Sequence, residues 1–428
     1  LKKNKMRIIS LLLISAVVMV CSCDTEGNVD PVYQTYFIKY YGEDGNQEGV
    51  DLLVNSDGSL ILLGNSSSQT NPVTIPFISK VDPFGSVLWQ RELGGPQLGG
   101  VNEKAVDVEF DNSGNLIILS NYAEGDNARV KVYRLSPEGV GLDSIMVDFQ
   151  EWQVGKSVTV TTDGRILIAG NRKPDPTKNY DLPGPDVADV TILEIDPTFQ
   201  LDSIVAMFGG GEMNGAGVKI FEGTGSYTLL GYTDKPRRHA AEFKLSFEAI
   251  SLNPFNIGPG QRVVMGPLTE TQTASSAIET FSMPQGGYLL VGTSYVNTLS
   301  SNIYLVHFYN PIDRILSGRV EPTVQFSNVY PLNRRLEGIS VAAAEPDDIY
   351  VLANETKENN KRDIFLLMLT GSGDVKGSNT FGALEGDDTA GAVRVMPDGR
   401  IAVFGTMELE TQKKMVLIML SADGRFSN

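Results

Sequence analysis

Seven times along the 428 residues, a turn is followed by a short apolar run that ends in a small residue. The copies are 57–64 (DGSLILLG), 113–120 (SGNLIILS), 163–170 (DGRILIAG), 224–231 (TGSYTLLG), 285–292 (QGGYLLVG), 346–353 (PDDIYVLA) and 398–405 (DGRIAVFG). Their final residues are 56, 50, 61, 61, 61 and 52 positions apart. Repetition at that period overrides the two or three domains that length alone suggests. Each copy has room for four strands. An alternating strand a, such as 105–110 (AVDVEF), precedes the turn, whose Gly, Asn and Asp suit positive φ. Strand b is almost wholly apolar, as a strand covered on both faces must be. Strand c (77–82, FISKVD) and strand d (87–95, VLWQRELGG) follow. No long amphipathic helical stretch competes. A β-helix would need shorter repeats, and a sandwich would not repeat so regularly. The expected fold is all-β: a single seven-bladed β-propeller of four-stranded antiparallel blades.

The chain ends sharpen this expectation. The seventh copy stops after its strand c, 415–420 (MVLIML), with eight residues left, so it has no strand d of its own. An unmatched strand, 35–42 (TYFIKYYG), stands before the first strand a. Pairing the two completes the last blade and removes an open sheet edge. The propeller is therefore expected to span 34–428.

The first residues read as an export signal. Lys2, Lys3, Lys5 and Arg7 precede an apolar stretch, 8–20, too short for a bilayer span of about 20 residues. The segment closes on Val20-Cys21-Ser22-Cys23, which resembles a lipobox. That resemblance implies cleavage after residue 22 and a lipid on Cys23, with 23–33 as an acidic tether. The alternatives are an ordinary cleaved signal and a short signal anchor. An acidic run after the lipidated cysteine resembles a surface-display signal of some Gram-negative groups, and the expected location is the outer membrane or cell surface. Residues 1–22 hold four of the 35 basic residues and none of the 52 acidic ones, so the remaining 406 carry a net charge of −21. Such a field repels nucleic acid. With Cys21 removed, no disulfide or thiolate pair remains for zinc or redox work.

The aromatic-Gly-Gly ending after strand d, the Asp-Gly-x-Leu-Leu-x-Gly core and the Asp-x-x-Gly turn together resemble a broad family of exported and lipid-anchored bacterial propeller repeats. Many of its members have no assigned function. The resemblance covers about 34–428 and specifies blades, not a chemistry. Ser120 and Ala353 replace the terminal glycine in copies two and six. Kelch, WD and quinone-docking tryptophan motifs are absent from the sequence.

Function is less legible. The a–b and c–d turns of a blade share one face, expected here to be uniformly short. The b–c and d–a loops share the other, expected to hold the length variation and any ligand site. The longest of these runs from Asn171 to Asp189 and contains Pro174, Pro176, Pro183 and Pro185. The b–c loops also concentrate basic residues, sharpest at Arg237, Arg238 and His239, with Arg334 and Arg335 entering copy six. Arginine forks suit carboxylates, including those of acidic sugars. A negative cluster, Glu385, Asp387 and Asp388 with Glu43 and Asp44, is expected near the axis mouth, without the spacing of a calcium loop. His307 falls within a strand and reads as structural, whereas His239 sits among loop arginines. No nucleophile elbow, histidine metal motif or phosphate loop is present, so no cofactor or metal is expected. The leading expectation is a non-catalytic envelope module that binds a glycan or a protein. A carbohydrate-active lyase or hydrolase, and a docking platform for an outer-membrane complex, stand as alternatives. Paired acids that meet only in space leave no sequence motif.

Overall fold

In the computed structural model, each apolar run becomes the second strand of a four-stranded antiparallel sheet. The structure describes residues 35–426 apart from segments 69–72, 95–101, 125–126, 148–152, 173–188, 209–214, 224–225, 234–238, 247–261, 266–270, 281–286, 298, 309–323 and 345–346. Cys23, Arg237 and Arg238 lie outside the described residues. The architecture is an all-β propeller with four-stranded antiparallel blades, and Tyr36–Asn428 forms one compact unit. No helix among the described residues is long and apolar enough to cross a membrane.

We number the seven four-stranded sheets 1 to 7 in chain order and letter their strands a to d outwards from the axis. Sheet 1 comprises Asn46–Val54, Leu60–Ser67, Ile75–Val81 and Val87–Glu92. The a strands of sheets 2 to 6 are Asn102–Phe110, Gln153–Val160, Gly215–Gly223, Thr271–Glu279 and Arg335–Ala344. Sheet 7 takes Thr389–Val395, Ile401–Leu409 and Gln412–Leu420 from the end of the chain. Its fourth strand is Phe37–Tyr41, antiparallel to Gln412–Leu420, with Phe37 opposite Met419 and Tyr41 opposite Met415.

The core lies in layers between sheets, which is why strand b is apolar on both sides. Leu62 and Phe77 of sheet 1 pack with Phe404, Met415 and Met419 of sheet 7, while Ile61 and Leu63 pack the opposite way with Ile118 and Leu135 of sheet 2. Equivalent layers join sheets 2 and 3, 4 and 5, 5 and 6, and 6 and 7.

The small residue ending each run has a steric origin. Every a–b pair slips register at the same place, as between Gly49 and Asp51, Ala105 and Asp107, or Gly217 and Lys219. The resulting bulge drives a strand-a carbonyl onto strand b. A Cβ on Gly292 would lie 1.8 Å from the Thr273 carbonyl oxygen, and one on Gly170 would lie 2.1 Å from that of Val154. Gly292→Ala is expected to cost about 3 kcal/mol in urea unfolding, as an overpacked site does.

In five of the sheets the residue after the small one fastens that sheet to the next. Asn65, Asn121 and Asn354 accept, through Oδ1, the N–H groups of Ala105, Gly155 and Ala390 at 2.8, 2.9 and 2.8 Å. Thr293 and Thr406 do the same for Gly338 and Gly49 at 3.2 and 2.9 Å. Each acceptor reaches the bulge of the following strand a, and Thr406 carries the pattern from sheet 7 to sheet 1. Asn354→Ala leaves the half-buried Ala390 N–H without its acceptor, and its expected loss is about 1 kcal/mol by the same measurement.

The turn face is not uniformly short. Strand c of sheet 4 ends at Ser246 and strand d begins at Arg262, and in sheet 5 the corresponding residues are Phe308 and Val324. These two copies lack the Asp-x-x-Gly turn that closes strand c onto strand d at Asp82–Gly85 of sheet 1. On the other face, the long connection of sheet 3 runs between Arg172 and Asp189, where the prolines place it. Both faces therefore carry long connections.

Candidate functional site

Among the residues singled out in the sequence, His239 is not in a loop: it opens strand c of sheet 4, opposite Thr233. Arg335 opens strand a of sheet 6, opposite Thr356. Arg334 is exposed but engaged, donating to Glu355 Oε2 at 2.6 Å and Thr380 Oγ1 at 3.2 Å, with its guanidinium 5.3 Å from the Phe365 ring centroid. His307 is fully buried in strand c of sheet 5, its Nε2 3.4 Å from Thr280 Oγ1 and its ring edge-on to Phe326.

The acidic cluster and the basic b–c loops find each other. Arg362 grips Asp387 with Nε and Nη2 at 2.9 and 2.7 Å, and Lys413 Nζ lies 3.5 Å from the same carboxylate. This holds the Asp387 carboxyl down at about 2, the Arg362 hydrogen bonds being the largest cause. Asp388 is buried and accepts the N–H groups of Ala383 and Glu408 at 2.6 and 2.7 Å. Lys357 donates to Asp363 at 2.6 Å and to the Ala383 carbonyl at 2.9 Å. Lys361 caps the Glu385 carbonyl and Lys414 that of Glu43, while the Glu43 side chain accepts from Gln90 at 2.8 Å. The cations crowd these loops because the adjoining d–a segment is acidic. Among the described residues, no group of three or more His, Cys, Asp or Glu is placed to hold a metal ion.

A different constellation lies on the axis. All seven a strands line a cavity of about 590 Å³, to which Asp51, Asp107, Glu109, Ser157, Lys219 and Arg394 contribute. The bulge aims them: Asp51, Asp107, Ser157 and Lys219 each stand two residues past the small residue of strand a, in sheets 1 to 4. The lining residues sit at or beyond the bulge, so the cavity occupies the half nearer the a–b turns. The expected ligand face was the opposite one.

Ion pairs thread this cavity from sheet to sheet. Arg394 Nη2 of sheet 7 donates to Asp51 Oδ1 of sheet 1 at 2.7 Å. Asp51 Oδ2 accepts the Val108 N–H of sheet 2 at 3.4 Å, and Asp107 Oδ2 accepts the Val158 N–H of sheet 3 at 2.7 Å. Lys219 of sheet 4 lies 3.4 Å from both Asp107 and Glu109 and donates to the Val158 carbonyl at 2.7 Å. Three carboxyls thus meet two cations in a desolvated place, and one carboxyl keeps its proton. Burial, reinforced by the Asp51 charge and opposed by Lys219, pushes Asp107 up to about 8. Lys219 is held above its ordinary value: burial opposes its charge, but Asp107, Glu109 and Asp51 outweigh burial. Burial also raises Glu279, another residue lining the cavity.

This site escaped the sequence reading. Its members come from separate copies, and the only local mark they share is a fixed offset from the small residue of strand a.

A scan against protein-family models finds no match, and neither does a search of curated proteins. Among solved structures, the chain is similar to Kuenenia stuttgartiensis hydrazine synthase, with a TM-score of 0.50 and 10% identity over 88% of this chain and 97% of that one. It is also similar to a Hadza microbial sialidase (TM-score 0.45, 11% identity, 88% of this chain and 66% of that chain). A streptogramin B lyase gives 0.39 and 10%, with 90% and 98% covered. At such identities the likeness is one of fold and brings no chemistry with it.

Proposed function

We propose that the protein is an exported propeller of seven blades, closed by its N-terminal strand and tethered to the outer membrane or cell surface through Cys23. It binds a glycan or an envelope protein without transforming it. The observation that supports this reading is the mutual pairing of the charged side chains. The loop cations hold d–a acids, and the axial cations hold acids that fasten neighbouring sheets. Arg237 and Arg238 stand as candidate contacts on the b–c side, and their joint replacement by alanine is expected to weaken retention of an anionic glycan at least tenfold.

The test is a polysaccharide panel on protein starting after Cys23, scoring retention and product release in the same samples. Retention without new chain ends is expected. Released oligosaccharide would overturn the non-catalytic part. A protein that retains no glycan and crosslinks to no partner in membranes would overturn the whole.

One observation favours a second reading, a carbohydrate-active enzyme. Asp107, pushed up to about 8 by burial, stands in an axial cavity, and a carboxyl that keeps its proton near neutrality is the equipment of acid catalysis. On that reading Asp107→Asn abolishes product release, and unchanged release would sink it.

A further inference from the structure

We propose that the axial cavity is a binding site for a neutral oligosaccharide, entered on the a–b turn side and separate from the loop arginines. The inference rests on the binding-module reading and names its ligand class. The cavity volume of about 590 Å³ falls within the range of about 300–1,000 Å³ typical of ligand pockets. Its charged lining is four acids, Asp51, Asp107, Glu109 and Glu279, against three bases, Lys156, Lys219 and Arg394. The two signs nearly balance, so the cavity has little net attraction for an anion or a cation.

A charged ligand would also have to break what holds the sheets together. An anion competing for Arg394 must displace Asp51, and one competing for Lys219 must displace Asp107 and Glu109. A neutral polyol needs neither exchange, since its hydroxyls both donate and accept. The cavity offers matching groups in Ser157, Ser275 and Ser276, with Phe221 as an apolar wall. Ser157 supplies an independent sign of a ligand. It is 5% exposed, its hydroxyl has no hydrogen-bond partner among the described residues, and it lines the cavity. A buried hydroxyl without a partner is a cost to the unliganded fold, relieved when a ligand hydroxyl meets it.

Three variants of the full-length protein in detergent micelles test this by calorimetric titration. The probes are laminarin- and mannan-derived oligosaccharides, with oligogalacturonate of matched length as the anionic comparison. Ser275 is exposed within the cavity, so Ser275→Trp fills the space without touching the sheet interfaces. Saturable binding of a neutral probe is expected, lost at least tenfold in Ser275→Trp and unchanged in Arg334→Ala. Ser157→Ala is expected to weaken binding about tenfold while leaving the melting temperature equal or higher, a combination a merely structural hydroxyl would not give. Neutral binding that survives Ser275→Trp overturns the site but leaves the binding module standing. Binding of oligogalacturonate alone overturns the ligand class, and no binding to any probe overturns the inference. In that last case a crosslinked envelope partner would still sustain the proposed function.

Discussion

Deleting residues 36–42 is expected to abolish cooperative unfolding altogether. The segment contains Phe37–Tyr41, the fourth strand of sheet 7, and both Phe37 and Tyr41 are 5% exposed. Losing a buried aromatic costs about 3–5 kcal/mol, so two approach the 5–15 kcal/mol total of a typical domain. The strand also secures sheet 1. Tyr41 donates to the Gly85 carbonyl at 2.9 Å and Lys39 to that of Phe84 at 2.6 Å, both in its c–d turn. Without the strand, the edge Met415–Met419 is left unpaired and apolar, an aggregation template. Urea titration followed by Trp89 fluorescence, with sedimentation velocity, reads both effects. A soluble variant with the parent midpoint would mean that the ring holds without its seam. Tyr41→Phe removes the turn contact alone, and a loss of about 1 kcal/mol is expected.

The second large effect lies on the axis. Lys219→Met strips the cation from Asp107 and Glu109, and losing charged hydrogen bonds in this half-buried place is expected to cost about 1.5–3 kcal/mol. The pH dependence has a definite sign. Asp107 has a raised pKa in the fold, about 8 against an ordinary value just below 4, so the fold prefers the protonated form. That contribution is complete below about pH 4 and drains away as pH rises towards 8, at up to roughly 1.4 kcal/mol per unit. Asp387 works in the other direction, losing its contribution only as pH falls from about 4 towards 2, outside that window. Urea midpoints of the wild-type protein should therefore fall between pH 5 and pH 8. Asp107→Asn removes the titration, so its midpoints should stay flat. A wild-type curve as flat as that of Asp107→Asn would contradict the raised Asp107 pKa.

The division between what was legible and what was not follows from locality. Strand b and its small terminal residue, glycine in five copies, repeat because one bulge recurs beside them. Asn65, Asn121, Asn354, Thr293 and Thr406 were equally periodic, and their position directly after the small residue was available as a signal. Its meaning was not, because each side chain acts on a different copy. The partners of the b–c cations are hidden for the same reason: nothing beside Arg362 or Lys413 in the sequence says that Asp387 lies between them. The axial set is the extreme case. Asp51, Asp107, Lys219 and Arg394 each look like a polar residue on an alternating strand, and only the convergence of the a strands makes them one site. The long c–d connections of sheets 4 and 5 were visible as a missing turn, but the early copies with tight turns set the expectation.

The register of sheet 7 also sets an order of events in time. Phe37 pairs with Met419 across 382 positions, whereas the other six sheets are built from consecutive strands. Closing so long a loop adds little to the thermodynamic cost, which grows only with the logarithm of length, but pairings of such separation are the slow ones. A chain delivered N-terminus first holds its first strand without a mate until the last one arrives. Sheets 1 to 6 can assemble on the way, yet the seam stays open until the far end is delivered.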